Sequence, residues 1–134
     1  MPHCVILYTP NIETKTDVSA LCRKLADTML TVLDEQGKQV FPTGGTRVLA
    51  YPAAHYAVAD GKGDYAFMYL NIRMGAGRSP AVQKMAGDRL TEVVKQHFAP
   101  IFDDELIGIT LQIDESPGQV YDGKHSMLHP LFNK

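Results

Sequence analysis

The chain has 134 residues, 45% of them hydrophobic and 21% charged, with a formal net charge of −2. Those values describe one globular domain with enough apolar material for a core, and the near-neutral balance offers no basic field to nucleic acid or an anionic membrane. No apolar run approaches the ~20 residues of a membrane span and no basic-then-apolar leader opens the chain, so a cytoplasmic location is expected.

The stretch His3-Cys4-Val5-Ile6-Leu7-Tyr8 reads as a buried strand closed by Thr9-Pro10-Asn11. Pro2 stands immediately before it. Removal of the initiator methionine, which a small second residue permits, would make Pro2 an amino-terminal secondary amine at the end of a rigid strand. Partial desolvation and nearby cations lower the pKa of such an amine toward neutrality, where it can act as a base or nucleophile. On the motif alone, an inert residue behind the start codon fits as well.

A helix is predicted from Asp17, as N-cap, to Gly37, with Val18, Leu21, Cys22, Leu25, Ala26, Met29, Leu30 and Leu33 on one stripe. Cys4 and Cys22 fall on apolar positions and read as reduced core residues. A strand is predicted at Thr46–Tyr51, opened by Arg47, which alone reads as a strand-edge charge. The turn-rich segment Pro52–Asp64 leads to a third strand, Tyr65–Ile72.

Gly75-Ala76-Gly77 follows that strand, but Pro80 stands where a dinucleotide fingerprint needs its third glycine, so no nucleotide cofactor is expected. The glycines instead allow a tight turn that presents Arg78 at the start of a second helix, behind Ser79 as N-cap and Pro80 at the first helical position. A guanidinium, free backbone N–H groups and the positive helix end suit an anion there, although a solvated surface arginine fits the same pattern. The second helix carries Val82, Met85, Ala86, Leu90, Val93, Val94 and Phe98. A last strand, Ile107–Ile113, alternates cleanly. His125 and His129 lack accompanying ligands, so no metal is expected. The apolar tail Met127–Phe132 is expected to dock on the body or on a neighbouring subunit.

The chain is written twice. Val18 with Val82, Leu21 with Met85, Cys22 with Ala86, Ala26 with Leu90, Met29 with Val93 and Leu30 with Val94 share an offset of 64. Each helix lies between two strands. The expectation is one α+β domain spanning 1–134, with half-units of roughly 1–58 and 59–134. Two tandem β-α-β units would form a four-stranded mixed sheet with both helices on one face. The strands at 4–7 and 66–70 are apolar on both sides, so the second face needs cover from other subunits.

The opening Met-Pro-His, Asn11-Ile12, Val40-Phe41-Pro42 with Gly45 and Arg47, Ala59-Asp60-Gly61, Asp64-Tyr65-Ala66-Phe67 and Gly75-Ala76-Gly77-Arg78-Ser79 carry a resemblance. In order and spacing they resemble the 5-carboxymethyl-2-hydroxymuconate isomerase family, the longer branch of the tautomerase superfamily, over nearly the whole chain. The resemblance implies a trimer and a cofactor-free isomerase with Pro2 as catalytic base and Arg47 and Arg78 as the substrate-binding arginines. It implies a 2-hydroxymuconate-type dicarboxylate as substrate, most directly 5-carboxymethyl-2-hydroxymuconate in aromatic-compound catabolism. Thr14 lies 64 residues before Arg78, so the duplication is not symmetric in chemistry and one site per chain is expected. The segments 48–56 and 114–124 depart from the family pattern. Two alternatives therefore stand beside the first reading: another reaction of the superfamily on a keto or unsaturated acid, and a non-enzymatic trimeric anion-binding module. A retained Met1 would tie the Pro2 nitrogen into an amide.

Overall fold

A computed structural model describes residues 3–132. Strand β1 (His3–Tyr8) is followed by helix α1 (Val18–Leu30), strand β2 (Arg47–Pro52), strand β3 (Ala66–Met74), helix α2 (Pro80–Phe102), strand β4 (Ile107–Glu115) and the short helix α3 (Leu128–Phe132). The sheet order is β2-β1-β3-β4. The outer pairs, β1 with β2 and β3 with β4, are parallel, while β1 and β3 run antiparallel at the centre. Each parallel pair needs a crossover helix, and α1 and α2 supply the two. The expected pair of β-α-β units in one mixed sheet is therefore present.

Strand alternation divides the sheet into two faces. Cys4, Ile6 and Tyr8 of β1, with Ala66, Met68, Leu70, Ile72 and Met74 of β3, are buried beneath the helices. Against them pack Leu21, Leu25 and Met29 of α1 and Val82, Ala86, Leu90, Val94 and Phe98 of α2. These are the stripes read from three- and four-residue spacing. Asp17 caps α1 by accepting from the Ala20 N–H at 3.0 Å, and Ser79 Oγ caps α2 by accepting from Val82 N–H at 3.2 Å.

Helix α1 ends seven residues before the predicted Gly37. The Thr31 hydroxyl donates to the Thr28 carbonyl at 2.7 Å, and Val32 is fully buried. The Asp34 carboxylate then accepts from the N–H groups of Gln36 and Lys38. An aspartate that gathers nearby N–H groups competes directly with helix continuation. Gly37, at φ 77°, belongs to that turn and not to a helix stop.

The tail docks through its backbone. Helix α3 lies on a one-turn 3-10 helix at Thr43–Gly45, and a Cβ at Gly44 would stand 3.1 Å from His129 Cα. Its apolar residues nevertheless remain largely accessible, with Leu128 58% and Phe132 51% exposed. The opposite sheet face is equally divided. Leu7 of β1 and Leu49 and Tyr51 of β2 lie exposed, with Phe67 of β3 exposed beside Gly108 of β4, whereas Gln112 and Asp114 of β4 accept hydrogen bonds from Tyr69 and Asn71. The β1–β2 half of this face is the more apolar of the two.

Candidate active site

One end of the sheet gathers the candidate residues. There β1 and β2 begin, and β3 and β4 finish. Pro2 lies outside the described residues; its chain neighbour His3 opens β1. Arg47 opens β2 directly opposite His3 in the parallel pairing. Both side chains project from the face away from the helices, because cross-strand partners share a side of the sheet. Arg47 is exposed and also lines the edge of a cleft of about 670 Å³ between α1, the Thr43–Gly45 turn and α3, with Leu128 and Phe132 on its far wall.

Arg78 reaches the same end by a different route. Strand β3 finishes at Met74, Gly77 turns the chain at φ 96°, and Arg78 stands just before the first turn of α2. Its Nη2 donates to the Val40 carbonyl at 3.2 Å. Val40 and Phe41 are buried and lead through Pro42 and the 3-10 turn to Arg47, so one short segment positions both arginines. The Arg78 Nε–H is buried with no partner among the described residues.

Acidic groups steady this corner. The Lys38 backbone N–H holds the Asp34 carboxyl below its usual range, and the Arg78 charge adds to the effect. Ser79 Oγ donates to Glu35 at 2.7 Å, which keeps the Glu35 carboxyl below its usual range as well. Arg78 thus has one nitrogen bonded to protein, while Arg47 stands open to solvent. Two guanidiniums so placed can hold carboxylates or polarise an oxygen that gains negative charge.

The cysteines offer no competing nucleophile. Burial pushes the Cys4 thiol up to about 12 and raises that of Cys22 as well. Both should stay protonated at pH 8, and only thiolate reacts. Iodoacetamide at pH 8 should therefore leave Cys4 unmodified in the folded protein and activity unchanged, as intact-mass measurement and assay would record. Rapid labelling of Cys4 would contradict its burial. Among the described residues no group of three or more His, Cys, Asp or Glu could hold a metal ion, and His129 turns its Nδ1 to Ser126 Oγ at 3.1 Å.

Sequence reasoning passed over two groups at this end. The Val40 carbonyl that anchors Arg78 carries no sequence signal at all. Arg73, on the far side of β1 from Arg47, is exposed and opposite His3 in the antiparallel pairing. Alternation along the third strand could have placed it on the open face, but its neighbour depends on the register.

The chain is similar to known proteins over nearly all of its length. A family model described as 5-carboxymethyl-2-hydroxymuconate isomerase matches residues 2–132. The 5-carboxymethyl-2-hydroxymuconate Delta-isomerase of Escherichia coli is 30% identical over 132 residues, covering 98% of this chain and 99% of the relative. A crystal structure of a 5-carboxymethyl-2-hydroxymuconate delta-isomerase superposes with a TM-score of 0.93 at 53% identity, covering 100% of this chain and 94% of the other. The 5-carboxymethyl-2-hydroxymuconate isomerase of Deinococcus radiodurans R1 superposes with a TM-score of 0.83 at 31% identity, covering 99% and 95%.

Proposed function

We propose that this chain, which belongs to the 5-carboxymethyl-2-hydroxymuconate isomerase family, isomerises 5-carboxymethyl-2-hydroxymuconate with Pro2 as base and Arg47 and Arg78 as substrate-binding cations. It is an isomerase that moves a proton and a double bond in a small carboxylate. The observation that carries the assignment of residues is their convergence. Arg47 stands in register with the residue that follows Pro2, and Arg78 is tied by hydrogen bond to the segment that delivers Arg47.

The chemistry needs no cofactor. The substrate is a dienol, and the unprotonated Pro2 amine takes the proton of its 2-hydroxyl. Electron density then moves along the conjugated chain, the prolinium returns a proton to carbon, and an unsaturated ketone results. Charge gathers at the 2-oxygen and its neighbouring carboxylate as the proton leaves, where a guanidinium fork stabilises it. The second guanidinium orients the molecule by another carboxylate. Both positive charges favour the neutral amine, because a nearby cation disfavours prolinium.

We further propose a homotrimer in the cytoplasm. The exposed Leu7, Leu49, Tyr51 and Phe67 lie on the sheet face away from the helices, and rotational symmetry closes such apolar surfaces on one another. Both cysteines are free, which accords with a reducing compartment, and no helix among the described residues is long and apolar enough to cross a membrane. Light scattering at micromolar concentration should return about three times 14.8 kDa.

The deciding experiment is an ultraviolet assay with 5-carboxymethyl-2-hydroxymuconate, run on protein whose amino terminus has been read by mass spectrometry. Loss of the dienol absorbance beyond the spontaneous rate is expected from the form that begins at Pro2. A folded Pro2-terminal protein with no such activity would exclude the assignment.

A further inference from the structure

The substrate named for this family makes a demand that two arginines do not meet. 5-Carboxymethyl-2-hydroxymuconate bears three carboxylates. One, C1, adjoins the 2-hydroxyl. The other two, C6 and that of the carboxymethyl arm, branch from C5, so that end of the molecule is a succinate-like pair with two negative charges. A conjugated dienol takes its returning proton at C3 or C5, in the middle of the chain. A base serving that step sits over the middle while carboxylates project to both sides.

We propose that Arg73 is a third carboxylate-binding residue, taking one carboxylate of the doubly charged C5 end; the inference rests on the isomerase reading above. His3 is flanked by arginines on both neighbouring strands, Arg47 of β2 and Arg73 of β3. All three side chains project from the same sheet face at the same level. Adjacent strands lie about 4.8 Å apart, so the two arginine backbones stand roughly 10 Å apart with the strand that follows Pro2 midway between them. A six-carbon chain is about as long as two extended residues, roughly 6–7 Å. A substrate held at its C1 end by Arg47 therefore falls short of Arg73 along its main chain, and the carboxymethyl arm at C5 carries the third carboxylate on toward Arg73.

Arg73 is available for that work. It is exposed, and among the described residues it enters no ion pair within 4.0 Å. Asp114 faces it from β4, but the Asp114 Oδ2 already accepts from Asn71 Nδ2 at 2.7 Å and lies on the side away from β1. Arg78, by contrast, is partly committed to Val40 and faces Asp34. Arg73 is thus the guanidinium whose loss would be felt by the third charge and not by the other two.

The test compares binding of two inert saturated analogues by calorimetry, 2-(carboxymethyl)hexanedioate with three carboxylates and hexanedioate with two, to the wild type, Arg73→Gln and Arg73→Lys. Arg73→Gln should weaken binding of the tricarboxylate ~10–100-fold, the usual range for a charge-assisted pair, and leave hexanedioate within about threefold. Arg73→Lys should recover part of the loss, since the charge returns without the fork. Equal loss on both ligands, no loss, or a wild type that does not prefer the tricarboxylate would overturn the subsite. Wild-type turnover of 5-carboxymethyl-2-hydroxymuconate is scored separately. Its absence would end the isomerase reading while the calorimetric comparison still decides the role of Arg73.

Discussion

Replacing Pro2 by alanine should lower kcat by about 10²-fold or more, within the ~10²–10⁴-fold that a positioned general base contributes, with the fold intact. Alanine leaves a primary amine at the same end of the chain, so the substitution keeps a base but loses the ring that fixes its lone pair. Orientation carries much of the value of such a base, because a freely rotating amine spends little time aligned with the 2-hydroxyl. Pro2 stands two positions before Cys4, the first core residue among those described. Circular dichroism and oligomer mass should therefore be unchanged. A form that retains Met1 should lose the base contribution completely, since an amide nitrogen has no available lone pair. Full activity of a Pro2→Ala protein shown by mass spectrometry to lack Met1 would place the base elsewhere.

Replacing Arg47 by glutamine should reduce kcat/KM about 10²–10³-fold, the scale seen when one preorganised donor is removed from a site of developing charge. The position makes this a clean experiment. Arg47 is exposed at the start of β2, and no hydrogen bond or ion pair to it is found among the described residues. Its removal therefore costs the fold little, and thermal unfolding should be nearly unmoved. Arg47→Lys should recover only part of the rate, because an ammonium gives point charge without the planar fork. The division of the loss also assigns the role. A fall mainly in kcat means Arg47 stabilises the 2-oxygen and its neighbouring carboxylate, and a rise mainly in KM means it anchors a remote carboxylate. An unchanged kcat/KM in Arg47→Gln would remove it from the site.

Arg78 would give a less direct answer. Its Nη2 holds the Val40 carbonyl and its charge bears on Asp34, so substitution disturbs the Val40–Gly45 segment together with any ligand contact. The same segment carries Gly44, where α3 approaches too closely for a side chain. Site and tail are therefore coupled through one stretch of backbone.

Much of this was legible in the residues alone because it is local. The period of two along β4 and the three- and four-residue steps of α1 and α2 identified the buried faces. Asp17 and Ser79 announced the helix starts, because a cap is satisfied by N–H groups within three residues of it. The order of Arg47 and Gly75–Ser79 along the chain carried the family, and with it a candidate chemistry for Pro2. Gly37 misled for a local reason too, since Asp34 formed its own turn before a helix stop was needed.

What the tertiary structure alone decided is non-local. The pairing of β1 with β2 on one side and β3 on the other joins residues far apart in sequence, and register follows from which faces can be buried together. That register sets Arg47 and Arg73 on either side of His3, an arrangement no motif spells out. The Arg78 bond to Val40 spans 38 residues and ends on a backbone carbonyl, an atom every residue possesses. The exposure of Met127 and Phe132 and the make-up of the open sheet face likewise came only with the folded chain. Sequence determined which faces must be buried and where helices begin, because those follow from near neighbours. Which charged groups share one end of the sheet depended on strand register, which is a property of the packed whole.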